Sequence, residues 1–265
     1  MGSLLQTTIR LIDSLGLKDM ASFDQNFLID ENIIDTEIKT QDLKPSDVVL
    51  DIGCGFGYTL QKISKICRVI GIENDFKIYS YLVDKYELEK NVELINGDIM
   101  EMVLPKFSKI ISNPPYSIVD RIMDKLTHYS FSSGVMVLPK TLTDALLETP
   151  CCNKFSFVQQ AFFSFEKVTD VEKDSFYPIP RITSVMLLIK PKEYSLLQEV
   201  LKHGEMTVKN ALLQSEQNFL DTTKRRSREH LDASIKSIDN IFDKQLKRLN
   251  LDELYQLRSF IEEYH

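Results

Sequence analysis

The chain has 265 residues, 43% hydrophobic and 27% charged, with 9 Gly and 9 Pro. That composition excludes a low-complexity or collagen-like chain and suits one large α/β domain with an appendage. The formal net charge of −7 argues against a broadly basic, nucleic-acid-covering surface. Residues 1–190 carry 20 basic against 26 acidic side chains, whereas residues 191–265 carry 12 against 13, so the acidity sits at the front. No apolar run approaches the roughly 20 residues of a membrane-spanning helix. The 4 cysteines form no CxxC pair and the 4 histidines are scattered. The expectation is therefore a cytoplasmic protein with reduced thiols, no membrane segment and no metal.

Leu4, Leu5, Ile9, Ile12 and Leu15 recur at helical spacing and predict a helix within Met1–Leu17, not a leader sequence. Val48–Ile52 is a largely apolar run ending in glycines, as expected of a parallel strand buried on both faces. A helix is predicted over Tyr58–Ile66, a strand over Arg68–Ile72 and a helix over Phe76–Leu88. Strands follow at Val92–Ile95 and Lys109–Ser112, then a helix at Ile118–Leu126, a strand at Gly134–Leu138 and a helix at Lys140–Leu147. Phe162–Val171 and Ser184–Ile189 have only a Pro-rich loop between them and predict an antiparallel pair at the sheet edge. This alternation predicts a Rossmann-like, doubly wound open sheet. Beyond Pro191 the strand signals stop. Tyr194–His203, Thr207–Leu220, Thr223–Leu231, Ile238–Leu246 and Asp252–Tyr264 all read as helices, so the expected division is an α/β domain over 1–190 and a small helical domain over 191–265.

Gly53, Gly55 and Gly57 lie between the first buried strand and its helix, where a tight turn lets a ligand approach the backbone. Glu73 follows Gly53 by 20 residues at the end of the next strand, placed for ribose hydroxyls. Asp98, at the end of the third strand, is placed for an adenine amino group. The spacing is GxGxG, not the GxGxxG of a dinucleotide site. Asp51 within the strand end favours a cationic ligand, so S-adenosyl-L-methionine is expected before NAD.

The fourth strand ends in Asn113-Pro114-Pro115-Tyr116. A planar amine or amide nitrogen is a poor nucleophile because its lone pair is delocalised. The Asn113 side-chain carbonyl and the Pro114 backbone carbonyl can each accept one of its N–H groups and free that lone pair, while Tyr116 offers a stacking face. Methyl transfer to a planar nitrogen follows, with adenine, guanine and glutamine side chains all open at this point.

Two further stretches narrow the target. Asp24-Gln25-Asn26-Phe27-Leu28-Ile29-Asp30 precedes the first strand, and Ser175-Phe176-Tyr177-Pro178-Ile179-Pro180-Arg181-Ile182-Thr183-Ser184-Val185 leads into the last. With the motifs between them in order, the chain resembles the ribosomal RNA small-subunit adenine N6,N6-dimethyltransferases, most of all over residues 20–192. The resemblance implies a class I methyltransferase fold acting on small-subunit rRNA in an immature 30S-type particle, as a monomer. It implies that Asn26 and Leu28 close over the cofactor beside Gly53, Glu73 and Asp98. Asn113 then serves cofactor and target alike, and Phe176 stands opposite Tyr116 as the second wall around a flipped adenine. Rivals are a methyltransferase of this fold acting on another nitrogen, such as protein glutamine, and a non-catalytic assembly or transcription factor. The chain departs from the family in Pro114, where leucine is usual, and in Lys18–Asp24, where a basic run is usual. Lys202, Lys209 and the knot Lys224–Arg228 are the basic candidates left in the tail.

Overall fold

A computed structural model describes residues 3–17, 25–220 and 237–264. Both Lys18–Asp24 and the basic knot Lys224–Arg228, with the helix expected over Thr223–Leu231, lie outside the described residues. The chain divides into two compact units, and the division is not one cut after residue 190. Glu148–Phe163 joins Lys192–His265, and Ser164–Pro191 returns to Met1–Leu147. The reason is packing: Cys151 and Phe157 sit in one apolar cluster with Leu196, Val200, Leu212, Leu254 and Leu257.

In the first unit, α1 (Leu4–Leu15) is capped by the Ser3 hydroxyl and stopped by Gly16 at φ 58°. The two-residue β1 (Phe27–Leu28) leads into α2 (Glu31–Gln41), capped by the Asp30 carboxylate. No helix was expected there. Its core-facing positions include Glu37 and Gln41, whose polarity hides the 3.6-residue period. Gln41 donates to the Ile110 carbonyl at 2.6 Å and accepts from Ser133 at 2.7 Å, tying the helix to the sheet.

The sheet elements follow in chain order: β2 (Val48–Ile52), α3 (Tyr58–Ile63), β3 (Arg68–Glu73), α4 (Phe76–Tyr86), β4 (Val92–Asn96), β5 (Lys109–Ser112), α5 (Val119–Leu126), β6 (Ser133–Pro139), α6 (Lys140–Leu147). After α7 (Lys154–Phe162) in the second unit come β7 (Phe163–Val171), β8 (Phe176–Tyr177) and β9 (Ser184–Pro191). Seven strands form one sheet in the order β4-β3-β2-β5-β6-β9-β7. Strand β2 runs parallel to β3 and β5, while β9 runs antiparallel to β6. The order steps outward from β2 to β4 and then reverses to β5, which opens a crevice at the carboxyl ends of β2 and β5. Val49, Leu50, Ile110, Ile111 and Val135 are at most 1% exposed, as strands buried on both faces require. Separately, β1 and β8 pair antiparallel, setting Phe27 beside Tyr177 and Leu28 beside Phe176.

The second unit adds α8 (Leu196–Leu201), α9 (Val208–Leu220) and α10 (Leu251–Tyr264) to α7. No α-helix forms over Ile238–Leu246; a short 3-10 turn begins at Leu246. Ile238, Ile241 and Phe242 are buried at helical spacing, but successive turns close at Ile241→Ile238 and Lys244→Ile241 and meet the same burial demand.

Candidate active site

The glycine loop follows β2. Gly53 and Cys54 both donate to the Ile72 carbonyl, at 2.8 and 3.1 Å, which turns the chain sharply over the end of β3. Gly57 has φ 71°, and a Cβ there would lie 2.9 Å from Leu82 and 3.0 Å from Tyr86, so any other residue is strained there and must displace its neighbours. From α4, the Tyr86 hydroxyl donates to the Gly57 carbonyl at 2.6 Å and the Lys85 ammonium donates to the Phe56 carbonyl at 3.0 Å. Lys85 sits 5.0–5.7 Å from the ring centres of Tyr58, Tyr81 and Tyr86, and burial pulls its pKa down to about 8. Helix α4 therefore grips the far end of the loop by two consecutive carbonyls.

Two carboxylates stand behind the loop. Glu73 accepts from the Gly55 amide at 3.0 Å and the Asp75 amide at 2.8 Å, and burial raises its pKa. Asp51 is 3% exposed; burial first, and then the Glu73 charge, push it up to about 8. Asp98 is exposed and accepts from the Met100 amide at 2.8 Å.

These groups face a cavity of about 410 Å³ at the strand-order reversal. Asn26, Leu28, Asp51, Gly53, Gly55, Glu73, Asp98, Asn113, Pro114 and Tyr116 all lie on its wall. The Asn113 amide group donates to the Asn26 carbonyl at 3.1 Å, while its own carbonyl oxygen, Oδ1, is buried and has no hydrogen-bond partner among the described residues. A Cβ on Gly53 would meet the Pro115 ring at 3.1 Å, so the loop after β5 rests directly on the glycine turn. The Tyr116 hydroxyl is 2.6 Å from the Ser184 hydroxyl on β9.

A second cavity, about 890 Å³, shares Gln25, Asn26, Tyr116 and Ser117 with the first and continues between Pro139, Thr141, Leu142 and the segment Pro178–Ile182. Phe176 lines neither cavity. It is 1% exposed and packs with Leu28, Ile34, Val135, Val137, Val171 and Met186, so the expected second aromatic wall is a core residue. Pairing in β8 turns its ring into the sheet's apolar cluster.

Sequence reasoning missed several wall residues. Ile99 and Met100, next to Asp98, supply apolar surface, and their adjacency to that carboxylate was the available signal. Arg121 also reaches the first cavity; nothing in its helical context marks it. Gln25, within the Asp24–Asp30 stretch, lines both cavities and donates to Asp75 at 3.2 Å.

The strand order, the antiparallel β9 beside β6 and a carboxylate-lined cavity at the reversal point define a class I methyltransferase fold. The family model for ribosomal RNA adenine dimethylase matches residues 16–263, and the chain belongs to that family of RNA N-methyltransferases. It is 29% identical to a probable ribosomal RNA small subunit methyltransferase A of Thermococcus onnurineus, over 95% of this chain and 96% of that one. The Pyrococcus furiosus protein of the same name is 30% identical over 90% of each. A dimethyladenosine transferase from Plasmodium falciparum superposes with a TM-score of 0.60 at 22% identity, covering 89% of this chain and 97% of that one. The 23S rRNA methyltransferase ErmE does so at 0.60 and 18%, covering 89% and 99%. At these identities the two structures speak for the fold alone. No helix among the described residues is long and apolar enough to cross a membrane.

Proposed function

We propose that the chain dimethylates N6 of adenine in small-subunit rRNA of an immature 30S-type particle, using S-adenosyl-L-methionine, as a cytoplasmic monomer. The observation that carries this reading is the buried, unpartnered Oδ1 of Asn113, beside the walls that the two cavities share. An acceptor left without a donor in a buried site costs about 1–3 kcal/mol. A target amine that supplies the missing N–H turns that cost into selective binding.

The residues fit the cofactor. Glu73 offers lone pairs for ribose hydroxyls beyond the two amides it already accepts, Asp98 faces the adenine end, and Asp51 gives a cation a carboxylate in a dry setting. S-adenosyl-L-methionine, when bound, supplies an electrophilic methyl group. Everything else falls to the chain. Asn113 Oδ1 accepts one N–H of the target amine and the Pro114 carbonyl accepts the other, which releases the nitrogen lone pair from the ring. Asn113 is held for this by its bond to the Asn26 carbonyl, and Tyr116 is oriented as a stacking face by Ser184. Orientation and hydrogen bonding supply the rate, so the loop needs no strong base. The helical second unit is the accessory RNA-binding part of this proposal, with Lys202 and Lys209 on described helices or their ends.

The test is label transfer from methyl-tritiated cofactor to small-subunit particles that lack the modification, followed by nucleoside analysis. Labelled dimethyladenosine is the expected product. Label appearing on a protein glutamine instead, or no transfer, would overturn the proposal.

A further inference from the structure

We infer that Pro178–Ile182 is the rim on which the RNA strand beside the target adenine lies, with Arg181 pairing a phosphodiester and Ile179 and Ile182 covering a neighbouring base. This rests on the reading above and adds a phosphate contact and a base contact to it. All five residues line the second cavity. Ile179 is 66% exposed and Ile182 38%, two apolar side chains open to the cavity, and buried Pro180 anchors the segment between them.

The segment is also held still. The Lys173 ammonium donates to the Arg181 carbonyl at 2.5 Å, and the Lys140 amide donates to the Thr183 carbonyl at 3.0 Å. Two prolines fix φ within it. The charges nearby sharpen the case. Lys140 is paired with Asp144, Lys167 with Asp170, and Lys173 is used on the loop's own backbone. The exposed Arg181 guanidinium has no acceptor among the described residues. In a chain of net charge −7, an unpaired arginine on the rim of the active cavity is placed to meet an anion. A planar fork of N–H donors suits a phosphodiester. Asp120, on the α5 side of the same cavity, opposes that anion, which makes the arrangement testable in both directions.

Affinity is measured for unmethylated small-subunit rRNA and for a single-stranded oligoadenylate of about 12 nucleotides, long enough to span one such groove, between 50 and 200 mM salt (about two Debye-length regimes). Arg181→Ala should weaken binding by roughly 5- to 20-fold and lower the salt slope by about 0.7, the value for one single-strand phosphate. Asp120→Asn should tighten binding by about 2- to 4-fold, the scale of one screened charge. Ile179→Ser with Ile182→Ser should weaken it without changing the slope. Cofactor affinity should hold in the Arg181 variant, because Arg181 does not line the first cavity, and this serves as the folding control. Unchanged affinity and slope in Arg181→Ala, or weaker binding in Asp120→Asn, overturns the inference while the wild type still methylates RNA. A wild type that neither binds nor methylates RNA overturns the functional reading instead.

Discussion

Replacing Asn113 by alanine removes two interactions of different kinds, and their sizes separate them. The first is the Oδ1 acceptor, buried and without a partner among the described residues, to which the proposed function assigns the target amine. Loss of one preorganised hydrogen bond to a reacting group lowers kcat by about 10²–10³, or ~3–4 kcal/mol. The second is the 3.1 Å bond from the Asn113 amide to the Asn26 carbonyl, made whether or not the target is present. A neutral, half-buried bond of that kind is worth about 1 kcal/mol, which weakens cofactor binding by no more than roughly 5-fold. Single-turnover transfer of a tritiated methyl to unmodified particles reads the first effect, and calorimetric titration of cofactor reads the second. The expected result is a large loss of rate with a small loss of affinity. A variant that keeps its rate within about tenfold of wild type, well short of the loss expected for an oriented hydrogen bond, would refute this account of the loop. So would a variant that loses cofactor binding altogether, since Asn113 would then be a cofactor ligand first.

Three other expectations follow from the same geometry. Asp51 sits at about 8 because burial, then Glu73, disfavour its charge; a cationic ligand favours the carboxylate, so cofactor binding at pH 7 should release protons. Affinity should rise up to about tenfold between pH 7 and 9 as the free-state carboxyl ionises, and a flat profile in the wild type, or an unchanged rise in Asp51→Asn, would contradict it. Gly57→Ala forces a Cβ into a left-handed φ of 71° and against Leu82 and Tyr86; at about 1–2 kcal/mol for the backbone and 1–3 for the overlap, it should lower Tm by roughly 5–15 °C, and a Tm within 2 °C (under about 1 kcal/mol) would count against the clamp from α4. Phe176→Leu should behave as a core change, lowering Tm by a few degrees for ~1–2 kcal/mol and leaving kcat nearly intact; a more than tenfold fall in kcat, more than about 1.4 kcal/mol, with an unchanged Tm would restore Phe176 to the wall of the target pocket.

What could be read from the chain alone was whatever is local to a strand end. Gly53, Glu73, Asp98 and Asn113 each follow a short apolar run, and a parallel strand delivers its last residue to one edge of the sheet, so their convergence on one cavity follows from topology. Helix α2 was invisible for the opposite reason. Glu37 is 1% exposed with both carboxyl oxygens unpartnered among the described residues, and burial, with Asp51 nearby, holds its pKa well above the usual carboxylate range. A helix that buries a glutamate and a glutamine does not look amphipathic. Helix α7 was missed because Phe155, Phe157, Phe162 and Phe163 favour a strand reading, whereas the start is fixed by the Asn153 and Ser156 capping box. Phe176 shows the limit for a single residue. An aromatic beside prolines reads equally as a wall or as core, and only its pairing with Leu28 across β1 and β8 decides.

That small β1–β8 ladder also sets an order of events. The Ser175 hydroxyl donates to the Asp30 carboxylate across a sequence separation of 145, and the Ile29 amide donates to the Ser175 carbonyl at 2.8 Å. The glycine turn, by contrast, is complete within the span from β2 to α4. Loop-closure entropy makes so distant a pairing one of the last to form. A growing chain therefore completes its glycine turn before it can pair β1 with β8. The pairing that flanks Asn26 has to wait until the segment around residue 177 has emerged.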